Sequence, residues 1–430
     1  MASEWATVPL SELTSTPPTY GVVQPGQDTA SGSPMLRVNN FQGHSLNLSE
    51  VMRIAPEIEA KYGRTRIQTG DVLLTIVGSV GQVAVVPYEL SGWNIARAIA
   101  MIRPNKPELS RWISLVLRSP QAQYQLGVTA NTTVQTTINL KDLRELRIPL
   151  PADGERDAIA HILGTLDDKI ECNRCRNQTL EAMARALFQD WFVDFGPVRA
   201  KMEGREPYLP ADLWQIFPDR LDDEGKPEGW DERPLDEVAD FLNGLALQKF
   251  PATDPDDSLP VIKIAELRSG VSAKSDRASR EVPPKYVIKD GDFLFSWSGS
   301  LLAKFWTEGE GALNQHLFKV TSERYPMWFV SHWVHHHLEE FQAIAASKAT
   351  TMGHIQRGHL KAAMTICPPD DVLERMGIVM APLVEQVIQN ELESRTLAQI
   401  RDTLLPKLIS GELCIADAAT FMERVEAVAT

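Results

Sequence analysis

From Leu166 onward, apolar and amide side chains recur at alternating four- and three-residue steps: Leu166, Ile170, Asn173, Asn177, Leu180, Ala184, Leu187 and Trp191. Such a spacing predicts the seam of a helix that packs along a second helix. Pro151 ends the strand expected before it, because proline has no ladder N–H, and Asp153 then offers an N-cap. At 1.5 Å per residue, ~37 residues of helix make a rod of roughly 55 Å. Two seam positions hold Asn, which costs stability and can fix register and partner.

The pattern returns between Pro368 and Leu413, where Leu383, Val387, Asn390, Leu397, Leu404 and Leu408 keep a seam with Asn inside it. A shift of 218 places superposes Ile148 on Ile366, Pro151 on Pro369 and Ile170 on Ile388. Pro382 and Pro406 break the second pattern, so this helix is expected to be shorter or frayed at both ends.

The remainder repeats as well. Trp5-Ala-Thr-Val-Pro9-Leu10-Ser-Glu12-Leu13 answers Trp230-Asp-Glu-Arg-Pro234-Leu235-Asp-Glu237-Val238 at a shift of 225. Gly70-Asp71 and the strand after it, up to Gly78-Ser79, answer Gly291-Asp292 to Gly299-Ser300 at 221. Asn94-Ile-Ala-Arg97 is set against Asn314-Gln-His316, and Ile138 with Leu143 against Ile355 with Leu360 at 217. Gly/Pro/Thr-containing stretches at 14–34 and 243–259 read as loops, and Thr-rich loops lie at 129–137 and 350–354. Shifts that drift this little indicate tandem duplication. The expected class is α/β (α+β): two duplicated domains, 1–152 and 230–369, each followed by a long helix, 153–196 and 370–412. A Pro/Gly-rich linker occupies 197–229 and a tail 413–430.

Net charge is −14 over 430 residues, yet its distribution matters more than its sum. Residues 1–152 carry 13 Lys and Arg against 11 Asp and Glu, and residues 230–369 carry 15 against 18. The acidity therefore sits on helices, linker and tail, and overall charge does not exclude phosphate binding by the domains. No apolar run approaches 18 residues and MASEWATVPL lacks a basic-then-apolar leader, so a soluble, cytoplasmic chain without membrane contact is expected.

Catalytic patterns are missing. There is no GxxxxGK[ST] loop and no GxSxG string. Cys172 and Cys175 form a single CxxC that reads as helical surface. His332, His335, His336 and His337 have helical spacing that could hold a metal, but without supporting carboxylates they read as a solvated helix face. Asp219 and Glu224 resemble nuclease acids but lie too close together, inside the linker.

Binding equipment remains. Loop position nominates Arg37, Asn39, Asn40, Arg97, Thr132, Thr133 and Gln135 in the first domain, and Lys263, Ser298, Lys304, Asn314, Gln315, Lys348 and Thr351 in the second. These side chains hydrogen-bond base edges and phosphates.

The domain–helix–domain–helix plan resembles the specificity subunit of type I restriction–modification enzymes. The likeness is carried by Ile159-Ala-His-Ile-Leu163, Leu166-Asp167-Asp168-Lys169-Ile170, Asn177 with Leu180-Glu181, and Leu187-Phe188-Gln189-Asp190-Trp191-Phe192. In the second half it is carried by Leu404-Leu405-Pro406-Lys407-Leu408-Ile409-Ser410-Gly411-Glu412 and the Pro-x-Gly-Trp start at 227–230. The first domain keeps Trp5 but lacks the Pro-x-Gly before it. The resemblance implies a non-catalytic chain whose two target recognition domains each read one half of a split, asymmetric site in double-stranded DNA. It implies helices that pair as an antiparallel coiled coil, give a pseudo-two-fold body, set the spacer and dock two methyltransferase subunits, with restriction subunits in the full complex. Half-sites about one turn (~34 Å) apart would suit such a body. No cofactor is expected in this chain; S-adenosylmethionine, ATP and Mg would belong to partner subunits. The rival readings are a DNA-independent coiled-coil adaptor and a nuclease built on the linker acids.

Overall fold

A computed structural model describes residues 5–43, 45–132, 136–254, 256–347, 353–415 and 418. The chain divides into two compact units, Met1–Glu171 with Thr396–Thr430, and Cys172–Arg395.

Each unit carries the same four-stranded antiparallel sheet. In the first the order is Thr14–Tyr20, Ile99–Pro104, Val72–Thr75, Val83–Val85. In the second it is Asp240–Asn243, Leu317–Thr321, Phe293–Ser296, Ala303–Phe305. The strand after each Gly-Asp turn is buried along its whole length, and alternate residues face opposite cores. Val72 and Leu74 pack with Trp112 and Ile113, while Leu73 packs with Leu36 and Ile95. Phe293 and Phe295 likewise separate from Leu294.

The Gly-Asp turn is one device used twice. Gly70 and Gly291 adopt φ of 85° and 88°, a region open to glycine and costly for other residues. Asp71 accepts the Gln68 N–H at 2.8 Å and pairs with Arg103 at 2.7 Å. Asp292 accepts the Lys289 N–H at 2.8 Å and pairs with Lys319 at 2.6 Å.

A second small sheet in each unit contains one parallel pair, Ser33–Leu36 with Asn94–Ile95 and Ser258–Ile262 with Gly311–Leu313. Each domain is closed by a terminal pair, Thr7–Pro9 with Arg147–Pro149 and Asp231–Pro234 with Met364–Cys367.

The long helices are Asp153–Phe188 and Asp370–Ile409. The first ends in a π-turn, Gln189–Val193, and a left-handed Phe195 at φ 53°. In the second unit the helix segments run antiparallel. Asn173 Nδ2 donates to Glu393 Oε2 at 2.7 Å, whereas the later Asn177 Nδ2 donates to the earlier Val387 carbonyl at 3.1 Å. Asn390 Nδ2 donates to Asn177 Oδ1 at 2.7 Å, both residues being buried. Asn177 and Asn390 therefore pair with one another, which ties Asn390 to one register. In the first unit Leu163 and Leu166 share a core with Leu404, Leu405 and Leu408, and Leu397 packs against it. Leu187, Trp191 and Leu383 join the core of the second unit; Ile170 and Leu180 are half-buried.

Four expectations need correction. The second long helix is continuous over 40 residues against 36 for the first. Pro382 is exposed, as is Ile378, whose carbonyl loses its helical donor; Asp402, four residues before Pro406, is exposed too. Water can then replace the lost bonds. Second, 14–34 is not all loop: Thr14–Tyr20 is an edge strand, where Pro17 and Pro18 need donate no ladder bond.

Third, the His run is not simply a solvated face. His332 lies 5.3 Å from the Phe188 ring and its Nδ1 is 2.6 Å from the Trp328 carbonyl. Burial pushes its pKa down to about 4. Among the described residues no His, Cys, Asp and Glu groups could hold a metal. Fourth, Asn94 and Asn314 are not equivalent. Ala96 and Asn314 make the matching bonds, to the Leu36 and Ile262 carbonyls at 2.8 and 3.2 Å.

The segment 197–229 folds onto the second unit through Phe217, 5.9 Å from Trp191 and 6.2 Å from Trp230. No described helix is long and apolar enough to cross a membrane.

Candidate nucleic-acid interface

Three loops meet at one end of each main sheet, joined by the same backbone bonds. In the first domain Ile76 N–H donates to the Ala98 carbonyl at 2.8 Å, Ile138 N–H to Ile76 at 3.0 Å and Gly78 N–H to Thr136 at 3.3 Å. In the second, Trp297 N–H donates to His316 at 3.3 Å, Ile355 N–H to Trp297 at 3.0 Å and Gly299 N–H to Gly353 at 2.8 Å. The central hairpin is pinned from within. Thr75 Oγ1 donates to the Ser79 carbonyl at 2.6 Å and accepts the Gln82 N–H at 2.9 Å. Ser296 Oγ does the same with Ser300 and Leu302, at 2.9 and 2.8 Å.

A fourth strand end approaches at a glycine in each copy. A Cβ on Gly21 would collide with the Ile95 carbonyl, and one on Gly244 with the Asn314 carbonyl. This close approach allows the parallel bridges Val22–Ala96 and Leu245–Asn314. One scaffold, built twice, thus presents loops whose side chains differ between the copies, and binding residues sit disproportionately on loops held by a scaffold.

The nominated residues separate by what their own loops consume. Arg97 and Asn39 are exposed, and Arg37 is half-buried. Asn40 is only 2% exposed. Its Oδ1 accepts the Arg37 N–H at 2.8 Å and its Nδ2 donates to the Asn47 and Glu50 carbonyls at 2.9 Å, so its amide holds the loop together. Lys263 is ion-paired with Asp276. Asn314 is buried, its Oδ1 accepting the His316 N–H at 3.3 Å. Ser298 is buried with its Oγ 3.0 Å from His316 Nδ1, and Gln315 is half-buried beside the same ring.

Lys304 lies on a strand near Glu181 of the first long helix. Partial burial, followed by the like charge of Glu391, raises the Glu181 pKa, and Lys304 is among the groups opposing that rise. Thr132 belongs to the strand Asn131–Thr132, paired with Thr136–Thr137. Thr133, Gln135, Lys348 and Thr351 lie outside the described residues.

The structure adds Trp297, His316 and His354, which sequence reasoning passed over. Their signal was the unlike filling of like places: Trp297 stands where the first copy has Ile76.

Comparison with known proteins gives one consistent result. The family model described as "Type I restriction modification DNA specificity domain" matches residues 3–182 and 227–401. The chain is 26% identical over 362 residues to the type I restriction enzyme MjaIX specificity subunit of Methanocaldococcus jannaschii, covering 81% of this chain and 78% of the relative. It is 24% identical over 400 residues to the HindI specificity subunit of Haemophilus influenzae, covering 81% and 87%. Its fold is similar to the crystal structure of a type I restriction-modification system S subunit from M. genitalium, with a TM-score of 0.50 at 15% identity over 94% of this chain and 96% of that one. With both of its halves matched in this way, the chain belongs to the type I restriction modification DNA specificity domain family.

Proposed function

We propose that this chain is the sequence-specificity subunit of a type I restriction–modification complex, each domain reading one half of a bipartite, asymmetric DNA target. The observation that carries this reading is the duplicated three-loop end: one backbone scaffold, built twice, with different side chains at matching places. Identical scaffolds with unlike side chains suit two unlike half-sites. Phosphate contacts from exposed residues such as Arg97 supply salt-dependent affinity, and polar loop side chains supply base discrimination.

The paired helices fix the spacer and dock two methyltransferase subunits, which recruit the restriction subunits. Adenine methylation and ATP-driven cleavage, with S-adenosylmethionine, ATP and Mg, belong to those partners. This chain supplies no catalytic group and works in the cytoplasm. The seam residues are occupied within the chain's own units, so docking uses the outward faces of the helices.

The test is to map adenine methylation on DNA treated with this chain and its methyltransferase subunit. A split motif of two unlike halves and a fixed gap is expected. No sequence-specific methylation from an intact complex would overturn the reading and leave a DNA-independent adaptor.

A further inference from the structure

At the meeting point of the three loops, shared backbone bonds align Ile76 with Trp297, Val77 with Ser298, Ala98 with His316 and Thr137 with His354. The first set is mostly aliphatic, and Ile76 is buried. The second set carries an indole, two imidazoles and a hydroxyl.

These groups are held in place. The Trp297 ring centre lies 5.8 Å from that of His316, 6.3 Å from His354 and 6.0 Å from Phe318. Its indole N–H donates to Asn243 Oδ1 at 2.9 Å. That bond fixes the ring, whose remaining contribution is an apolar face. Ser298 Oγ lies 3.0 Å from His316 Nδ1, leaving Nε2 on the opposite edge, where Gln315 Nε2 sits 3.4 Å away. Trp297, His316, Gln315 and His354 are all half-buried, so part of each reaches solvent.

We propose that the Gln315–His316 edge reads a purine of the second half-site in the major groove, with Trp297 as its platform and Ser298 as its positioning residue. This rests on the DNA-recognition reading above. A glutamine amide can donate to N7 and accept from N6 of adenine, and once the Gln315 amide turns from the ring to a base, an imidazole protonated at Nε2 can donate to a purine N7. A side chain that discriminates bases must be aimed before DNA arrives, because ordering it on binding costs free energy. Ser298 and Trp297 supply that aim. The first domain has Val77 and Ala98 where Ser298 and His316 stand, and Arg97 in the place of Gln315, so it reads its half through different side chains.

The test uses the full chain with its methyltransferase subunit on a random-sequence DNA library, mapping methylated adenines for wild type, Gln315→Ala, His316→Ala and Ser298→Ala. Gln315→Ala leaves the ring cluster in place and keeps the test valid should His316→Ala fold poorly. Discrimination at one or two positions of the second half-site is expected to fall about 10-fold or more for Gln315→Ala and His316→Ala, and less for Ser298→Ala. The first half-site and the gap should stay unchanged. An unaltered second half-site in folded variants, whether total methylation falls or not, would overturn the proposal and make the cluster a structural lid. A wild-type complex without any split motif would sink the recognition reading itself, and this proposal with it.

Discussion

Each domain leans a helix on the long helix that follows it, and the two junctions are built from opposite chemistry. In the first, the helix Leu109–Arg118 is clasped by ions. Arg111 reaches Asp168 at 2.7 Å, and Asp167 takes Arg118 at 2.6 Å and Arg401 at 2.9 Å. Burial alone would raise the Asp167 pKa, but the two guanidinium groups overcome it and hold the carboxyl below its usual range. In the second, shifts of 216 and 217 put Met327, Val334 and Val384 where the first has Arg111, Arg118 and Asp167. The helix Met327–Ser347 is held instead by rings at the end of the preceding long helix: Trp328 and Phe329 lie 6.1 and 5.3 Å from Phe192, and Trp333 lies 5.0 Å from Phe188. A groove of about 650 Å³ opens beside Met327, Gly377, Ala381 and Val384. Duplication preserved the backbone plan, while each junction found its own means of closure.

Substitution should break the junctions differently. Trp328→Ala is expected to cost about 4 kcal/mol, with little dependence on salt. Asp167→Ala strands Arg118, whose side chain is 6% exposed, and leaves Arg401, 11% exposed, with Asp402 alone; it should cost about 3 kcal/mol. Denaturant unfolding with segment-resolved hydrogen exchange would measure both. Equal salt dependence in the two variants would contradict the contrast.

Acid should separate the junctions without mutation. His332 has its pKa lowered from 6.5 to about 4, so its neutral form favours the folded state. Its contribution is fully present above pH 6.5 and lost as pH falls through about 4, a difference of up to about 3 kcal/mol. Asp167, with its pKa also lowered, keeps its contribution until pH drops below the ordinary carboxylate range. Hydrogen exchange should therefore show the second junction loosening first on acidification, and His332→Gln should weaken that response, which His335, its pKa also lowered by burial, shares. Simultaneous loosening would count against this assignment.

The smallest effect concerns Arg111→Ala. Its pair with Asp168 is exposed, at 47% and 63%, so the loss should stay under about 1 kcal/mol and shrink further in salt. Thermal melts at low and high ionic strength would check it.

The long helices were legible because seam spacing is a local signal, and the Asn positions could be named before their partners. Asn173 and Asn177 meet residues 220 and 210 places away; the spacing called for a partner helix, and the family resemblance said which one. Sheet order was not legible, since it depends on which strands meet after folding. Thr14–Tyr20 hid behind its prolines. Of the loop nominations, Ser298, Asn314 and Gln315 lie where the three loops of the second domain meet. What sequence could not say is which polar side chains their own loops consume, as Asn40 and Asn314 are. It also passed over Trp297 and His316, because aromatic residues beside buried strands read as core.

The central claim, that each domain reads its own half-site, is tested most directly by replacing residues 1–152 with the corresponding domain of another such chain and mapping adenine methylation with the methyltransferase subunit present. The result expected is a motif whose one half changes while the other half and the gap stay fixed. A motif altered in both halves, or in neither, would contradict it.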